Sequence, residues 1–256
     1  DLPRFLDASG EWYYAATGPD AGRLYVRLPD DADPNAADIE AGYGVNAVTI
    51  ENQSHIDISG LTFRFGNPPQ IDERWWSLPE QDPIAVKVFG NCADISIDHN
   101  TFDHVMEAIW VQPLGEGDQR IQDVTISDND IQHTDHGAIY VGRGTGVPPA
   151  NPVINAKVLR NRLHLIGLRP RRARMGPAIS MEFATTAEVA GNMINRVYGS
   201  GLFIFGGKSS GAAGAAPLSR VLVHHNKVID PLLNTNDWGG IETWQGGPFY
   251  VYDNIS

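Results

Sequence analysis

This chain contains a single cysteine in its 256 residues, so no intrachain disulfide can form. Cys92 follows Asn91 beside a strand-like stretch and reads as a buried structural thiol. No apolar run approaches the length that spans a bilayer. Basic residues are scarce: 19 Lys and Arg stand against 31 Asp and Glu, a formal charge of −12. That balance argues against nucleic-acid binding through a broad electrostatic footprint and makes a polyanionic substrate less favourable. A long amphipathic stripe of 3.6-residue period is also absent, so helices are not the building unit. Glycine and proline, in contrast, are plentiful (27 and 17), as a turn-dense architecture requires.

What is present is a repeat. An apolar strand, a polar residue, an Asn, one more residue and an apolar residue recur in order along the chain. Copies include Ile97-Asp98-His99-Asn100-Thr101-Phe102, Ile126-Ser127-Asp128-Asn129-Asp130-Ile131 and Val158-Leu159-Arg160-Asn161-Arg162-Leu163. Asn192, Asn226 and Asn254 continue the series, with steps of 29, 32, 31, 34 and 28 residues between successive Asn positions. Leu61 holds the first position without an amide. A second phrase follows most copies: Glu107-Ala108-Ile109-Trp110-Val111, Gly137-Ala138-Ile139-Tyr140-Val141, Pro177-Ala178-Ile179-Ser180-Met181 and their later equivalents. Such self-similarity is the signature of a solenoid in which each copy forms one turn. Two short alternating strands per copy predict an all-β, right-handed, single-stranded parallel β-helix. Its rungs stack about 4.8 Å apart, so equivalent residues form columns, and stacked carboxamides can donate to and accept from one another. The Leu-x-x-Leu-x-Leu consensus of a leucine-rich-repeat horseshoe is missing.

Residues 1–38 differ. Glu11-Trp12-Tyr13-Tyr14 and Arg23-Leu24-Tyr25-Val26-Arg27 flank Gly18-Pro19-Asp20-Ala21-Gly22, a β-hairpin signal, and an Asp/Pro/Ala-rich linker follows. The hairpin aromatics are read as a cover for the solenoid mouth, with sugar binding as the weaker alternative. The β-helix is expected over 39–256, truncated within its last repeat.

Candidate chemistry follows from the column geometry. With Val86, Ile109, Ile139, Ile179, Leu202 and Ile241 inward, the next residues face out: Lys87, Trp110, Tyr140, Ser180, Phe203 and Glu242. Two positions on, a second outward column holds Phe89, Gln112, Gly142, Glu182, Phe205 and Trp244. An exposed aromatic stripe of this kind marks a site, and flat rings suit sugars. Three insertions border it: Asn67 to Asp82 with Trp75 and Trp76, Gly167 to Gly176 with Arg169, Arg171, Arg172 and Arg174, and Gly206 to Pro217. Carboxylates are the expected catalysts. Glu242 lies mid-strand between aromatic columns, Asp237 in the turn before it, and Glu182 two rungs earlier, on the order of 10 Å away. Asp135 and His136 enter the Tyr140 strand as a base or a substrate hydrogen-bond partner. Trp110, Tyr140, His136, Trp238, Trp244, Arg143 and Lys87 are the expected substrate contacts. For any one of these carboxylates, a turn-stabilising role is an equal alternative. The histidines fall on different turns, so no metal site is expected. Calcium remains open through turn aspartates, although no compact oxygen-ligand motif such as an EF-hand loop is present.

The chain resembles the pectate-lyase-like superfamily of right-handed parallel β-helix carbohydrate-active enzymes. Gly10-Glu11-Trp12-Tyr13-Tyr14, Leu24-Tyr25-Val26 and Ser59-Gly60-Leu61-Thr62-Phe63 resemble the entry region of β-helix glycoside hydrolases. Asp237-Trp238-Gly239-Gly240-Ile241-Glu242-Thr243-Trp244-Gln245-Gly246-Gly247-Pro248 is similar to a stretch in bacterial members near the α-L-fucosidase/xylanase family, family 141. The resemblance implies a secreted or periplasmic glycosidase acting on an oligo- or polysaccharide without a cofactor, with Asp237 and Glu242 as carried-over catalysts. A polysaccharide lyase, with Lys87 or Arg143 as the base, and a non-catalytic glycan-binding module are the alternatives.

Overall fold

The structure, a computed structural model, describes residues 6–15, 17–39, 46–66, 83–113, 119–142, 153–169, 176–206, 220–235 and 237–256. The chain divides into two compact units, Asp1–Ala41 and Gly42–Ser256. In the first, strands Trp12–Tyr14 and Leu24–Val26 pair antiparallel with Tyr13 opposite Tyr25, the hairpin that the turn residues predict.

The second unit is the parallel β-helix. Its first sheet stacks seven strands: Ser54–Ser59, Cys92–Asp98, Ile121–Ser127, Val153–Leu159, Ala184–Ala190, Arg220–His224 and Phe249–Tyr252. The second stacks six: Thr62–Gly66, Thr101–Val105, Asp130–Thr134, Arg162–Ile166, Met193–Val197 and Lys227–Ile229. The third stacks seven: Val48–Glu51, Ile84–Phe89, Glu107–Gln112, Ile139–Val141, Ile179–Glu182, Leu202–Phe205 and Ile241–Trp244. Every pairing within these sheets is parallel between successive turns, so each turn visits all three sheets before stacking on the last. No α-helix occurs among the described residues, and none of their helices is long and apolar enough to cross a membrane.

The bend between the first two sheets explains the Asn repeat. The residue before each Asn takes a left-handed backbone: His99, Asp128, Arg160, Gly191, His225 and Asp253 have φ between 52° and 67°. This sharp corner leaves peptide groups that neighbouring strands do not satisfy, and the following carboxamide turns inward to meet them. Asn129 Nδ2 donates to Asn161 Oδ1 at 2.9 Å and to the Ile97 carbonyl at 2.9 Å, while Asn129 N donates to the same Oδ1 at 3.0 Å. The pattern repeats from Asn100 through Asn254, and Leu61 N closes the near end on Asn100 Oδ1 at 3.0 Å. A second left-handed corner falls four residues after each ladder position, at Phe65, His104, His133, Leu165, Arg196 and Asp230.

Inside the coil, Val86, Ile109, Ile139, Ile179 and Leu202 are fully buried and stacked in register, with Ile241 half-buried on the last rung. Cys92 is buried and free, with its Sγ 3.2 Å from the Phe89 carbonyl.

Candidate active site

The third sheet sets the chemistry-bearing residues in two columns. Register places Thr49, Lys87, Trp110, Tyr140, Ser180, Phe203 and Glu242 in one line. Glu51, Phe89 and Gln112 begin the second, and Glu182, Phe205 and Trp244 end it. Between them Gly142 carries no side chain for a physical reason. Its φ is +120°, and an added Cβ would meet the Glu182 carbonyl oxygen at 1.8 Å.

One expectation needs correction: most of this stripe is not exposed. Trp110, Tyr140, Ser180, Gln112, Glu182, Phe203 and Phe205 are all buried, and only Trp244 presents a large open ring. Side chains stacked at rung spacing shade one another, and residues outside the columns close over them. Ile84 packs with Trp110 and Tyr140, whose rings meet edge to face at 5.6 Å. Phe183 and Trp238 pack with Phe203 and Phe205. Trp238 meets Phe203 edge-on at 5.0 Å, and Trp244 stacks on Phe205 at 5.2 Å. Lys87 lies over this face, its ammonium 5.3 Å from the Phe89 ring and 5.7 Å from Trp110.

Against this apolar wall opens a cavity of about 50 Å³, lined in part by Glu107, His136, Tyr140, Glu182, Ser200 and Trp238. Glu182 is 4 % exposed. Its Oε2 accepts from the Tyr140 hydroxyl at 2.9 Å and its Oε1 from the Ser180 hydroxyl at 3.0 Å. Two donors on one short carboxylate fix its orientation. Nearby, His136 Nδ1 hydrogen-bonds Glu107 Oε1, and both side chains are buried. This second pair orients an imidazole whose tautomer is set by its carboxylate partner. Ser200 Oγ is buried on the lining with no hydrogen-bond partner among the described residues.

Glu242 stands one rung beyond Phe203 in the same column. It is half-buried, and its Oε2 accepts from Gly239 N–H at 3.0 Å. Burial pushes its carboxyl pKa above the ordinary value; the Gly239 hydrogen bond opposes the rise, and the Asp237 charge adds to it. Asp237 itself is exposed in the preceding turn, where its Oδ1 accepts from Trp238 N–H at 3.0 Å. Asp135 does not line the cavity; its carboxylate faces Arg169 Nε at 3.2 Å. The structure thus gathers Glu182, His136, Tyr140 and Trp238 at one cavity and sets Glu242 and Trp244 along the same sheet. Asp237 and Asp135 are held in turn and ion-pair roles. Arg143, Trp75, Trp76, Arg171, Arg172, Arg174 and 207–217 lie outside the described residues.

No family model, no curated protein and no solved structure matches the chain. The site must therefore be read from its own residues.

Sequence reasoning missed Glu107 and Ser200. The signal for Glu107 was available: it occupies the offset before Ala-Ile where later copies place Gly137 and Pro177. A charge at that offset stands out in a column whose other members are Ile84, Gly137, Pro177, Ser200 and Gly239. Ser200 carried no signal, since a serine before a Gly-rich turn is ordinary loop chemistry.

The histidines also behave differently from expectation. Rung stacking brings His104 and His133 together around Asp103 on the second sheet, although they are far apart in sequence.

Proposed function

We propose that the protein is a glycoside hydrolase whose substrate lies along the third sheet. Two carboxylates in unlike surroundings carry this reading. Glu242, partly desolvated beside Phe203, has the raised pKa that suits a proton donor to a leaving glycosidic oxygen. Glu182, oriented by Tyr140 and Ser180, is placed to accept a proton from an attacking water. The two stand two rungs apart, on the order of 10 Å along the axis. That rung spacing is near the upper end of the separation associated with inversion, in which a water fits between the acid and the base. The open ring of Trp244, with the half-buried Trp238 edge-on beside it, supplies a platform for sugar rings. The resemblance of 237–248 to glycosidase segments supports the same reading and implies a secreted or periplasmic protein.

A polysaccharide lyase on this scaffold is less favoured. Its substrate carboxylate must be neutralised by a cation, whereas the cavity lining carries Glu107 and Glu182 and neither Lys nor Arg among the described residues.

The test is a panel of neutral and acidic glycans assayed for reducing ends and for ultraviolet-absorbing unsaturated products. Glu242→Gln and Glu182→Gln should each lower turnover by about 10²–10⁴-fold, with cooperative thermal unfolding showing that both variants still fold. Proton NMR should show an inverted anomer in the first product. An unsaturated product would replace the proposal with the lyase. Glycan binding without turnover in wild type and both variants would replace it with a binding module.

A further inference from the structure

We propose that Asp103, His104 and His133 form a binding site for a divalent transition-metal ion, with zinc as its natural probe. The site lies on the second sheet and does not depend on the glycosidase reading. Asp103 and His104 belong to strand Thr101–Val105, and His133 to the next strand up, Asp130–Thr134. Parallel pairing sets Asp103 opposite Gln132, so the residues that follow, His104 and His133, come side by side. Both sit at the left-handed corner (φ 53° and 51°), which swings their rings out beside the Asp103 carboxylate.

The donor atoms converge on a single oxygen. His104 Nδ1 and His133 Nδ1 each lie 2.9 Å from Asp103 Oδ1, and the three ligand atoms lie within 4.8 Å of one another. On the far side, Arg64 Nε is 3.6 Å from Asp103 Oδ2. The guanidinium thus holds one oxygen and leaves the other turned to the imidazoles, as outer partners of metal ligands do. Two imidazoles and one carboxylate suit zinc, cobalt, nickel or ferrous iron, with water completing the shell, and suit calcium or magnesium poorly.

Two adjustments accompany binding. Metal–ligand bonds of about 2.0–2.2 Å require the ion to replace the Nδ1 protons, so each ring moves its proton to Nε2. The rings also stack at 4.6 Å with only 24° between their planes, so one must turn to aim its lone pair at the same ion. His104, with Phe65 6.1 Å away on the rung before, is the more exposed of the two rings, which makes it the one that turns.

Calorimetric titration of chelator-treated protein with zinc chloride should give one equivalent bound. Asp103→Asn, His104→Gln and His133→Gln should each weaken it by more than about tenfold. His99→Gln, whose ring faces Asp98 at a separate corner, should leave it unchanged. Cobalt substitution should give visible d–d absorption that disappears in the same three variants. These residues lie at the surface, and thermal unfolding verifies that each variant folds; the half-exposed His104 variant carries the test if the Asp103 variant does not. No zinc uptake by the wild type, or uptake equal in the wild type and these variants, would overturn the site.

Discussion

Removing one amide from the middle of the Asn ladder should cost far more than removing the last one. Asn161 is fully buried. Its Oδ1 accepts from Asn129 N at 3.0 Å and Asn129 Nδ2 at 2.9 Å, and its Nδ2 donates to the Ile126 carbonyl at 3.0 Å and Asn192 Oδ1 at 3.1 Å. In Asn161→Ala, Asn129 Nδ2 keeps the Ile97 carbonyl, and Asn192 Oδ1 keeps the Asn161 backbone N–H. Asn129 N–H has no such substitute. An orphaned buried donor costs about 1–3 kcal/mol, and the other lost bonds add about 1 kcal/mol each. The sum, about 4–6 kcal/mol, is a large share of the roughly 5–15 kcal/mol that holds a domain together. Asn254 also accepts from Asn226 N and Nδ2, but it lies at the wetter end, where water can replace it. Its truncation should cost about 1 kcal/mol or less. Urea unfolding with shared slopes gives both values. Equal midpoints for Asn161→Ala and Asn254→Ala would show that the ladder is not what secures the corner.

Glu242 makes stability depend on pH in a defined direction. Because its folded-state pKa is raised above the ordinary 4.5, the native state keeps a proton that the unfolded state has lost. Wild type should therefore lose stability relative to Glu242→Gln as pH rises from the ordinary carboxylate range through the raised value. The two should converge below about pH 4; urea midpoints at several pH values check this, and a gap that widens on acidification would contradict it. Gly142→Ala should destabilise the fold by on the order of 3 kcal/mol, because its Cβ would collide with the Glu182 carbonyl, and turnover should fall with it. Ser200→Ala should instead stabilise the fold by about 1 kcal/mol, read as a raised urea midpoint, since it removes a buried hydroxyl that no described residue satisfies. A lowered midpoint would reveal a partner for that hydroxyl.

The repeat made the architecture readable because one period specifies three things at once. The Asn positions mark the corners, the apolar positions between them mark the inward faces, and their coincidence every turn marks the register. Glu182 and Glu242 were thus placed on adjacent columns of one sheet from spacing alone, and pairing through Phe205 and Phe203 puts them there. Depth was not readable. Alternation shows which way Trp110, Tyr140 and Phe203 point, but not that Ile84, Phe183 and Trp238 close over them, since those come from outside the columns. Pairing across a corner was equally hidden. The meeting of His104 with His133 depends on a left-handed bend recurring four residues after each ladder position, and no residue type marks that bend.

The distribution of unsatisfied polarity separates scaffold from site. Along the ladder, every buried carboxamide from Asn100 to Asn226 both donates and accepts. Gln112 Oε1, Ser200 Oγ and Gln245 Oε1, beside the third sheet, and Thr185 Oγ1, at the start of a first-sheet strand three residues after Glu182, are buried without a partner among the described residues. A chain able to satisfy five successive amides has no difficulty supplying donors, so folding alone does not account for leaving these atoms unmet. Their desolvation is a standing cost of about 1–3 kcal/mol each, and a ligand with hydroxyl groups would recover it on binding. Three of these four atoms lie beside the sheet that carries Glu182 and Glu242, and the fourth, Thr185 Oγ1, at the corner that leaves it, so the deficit gathers around that sheet without reference to its acidity.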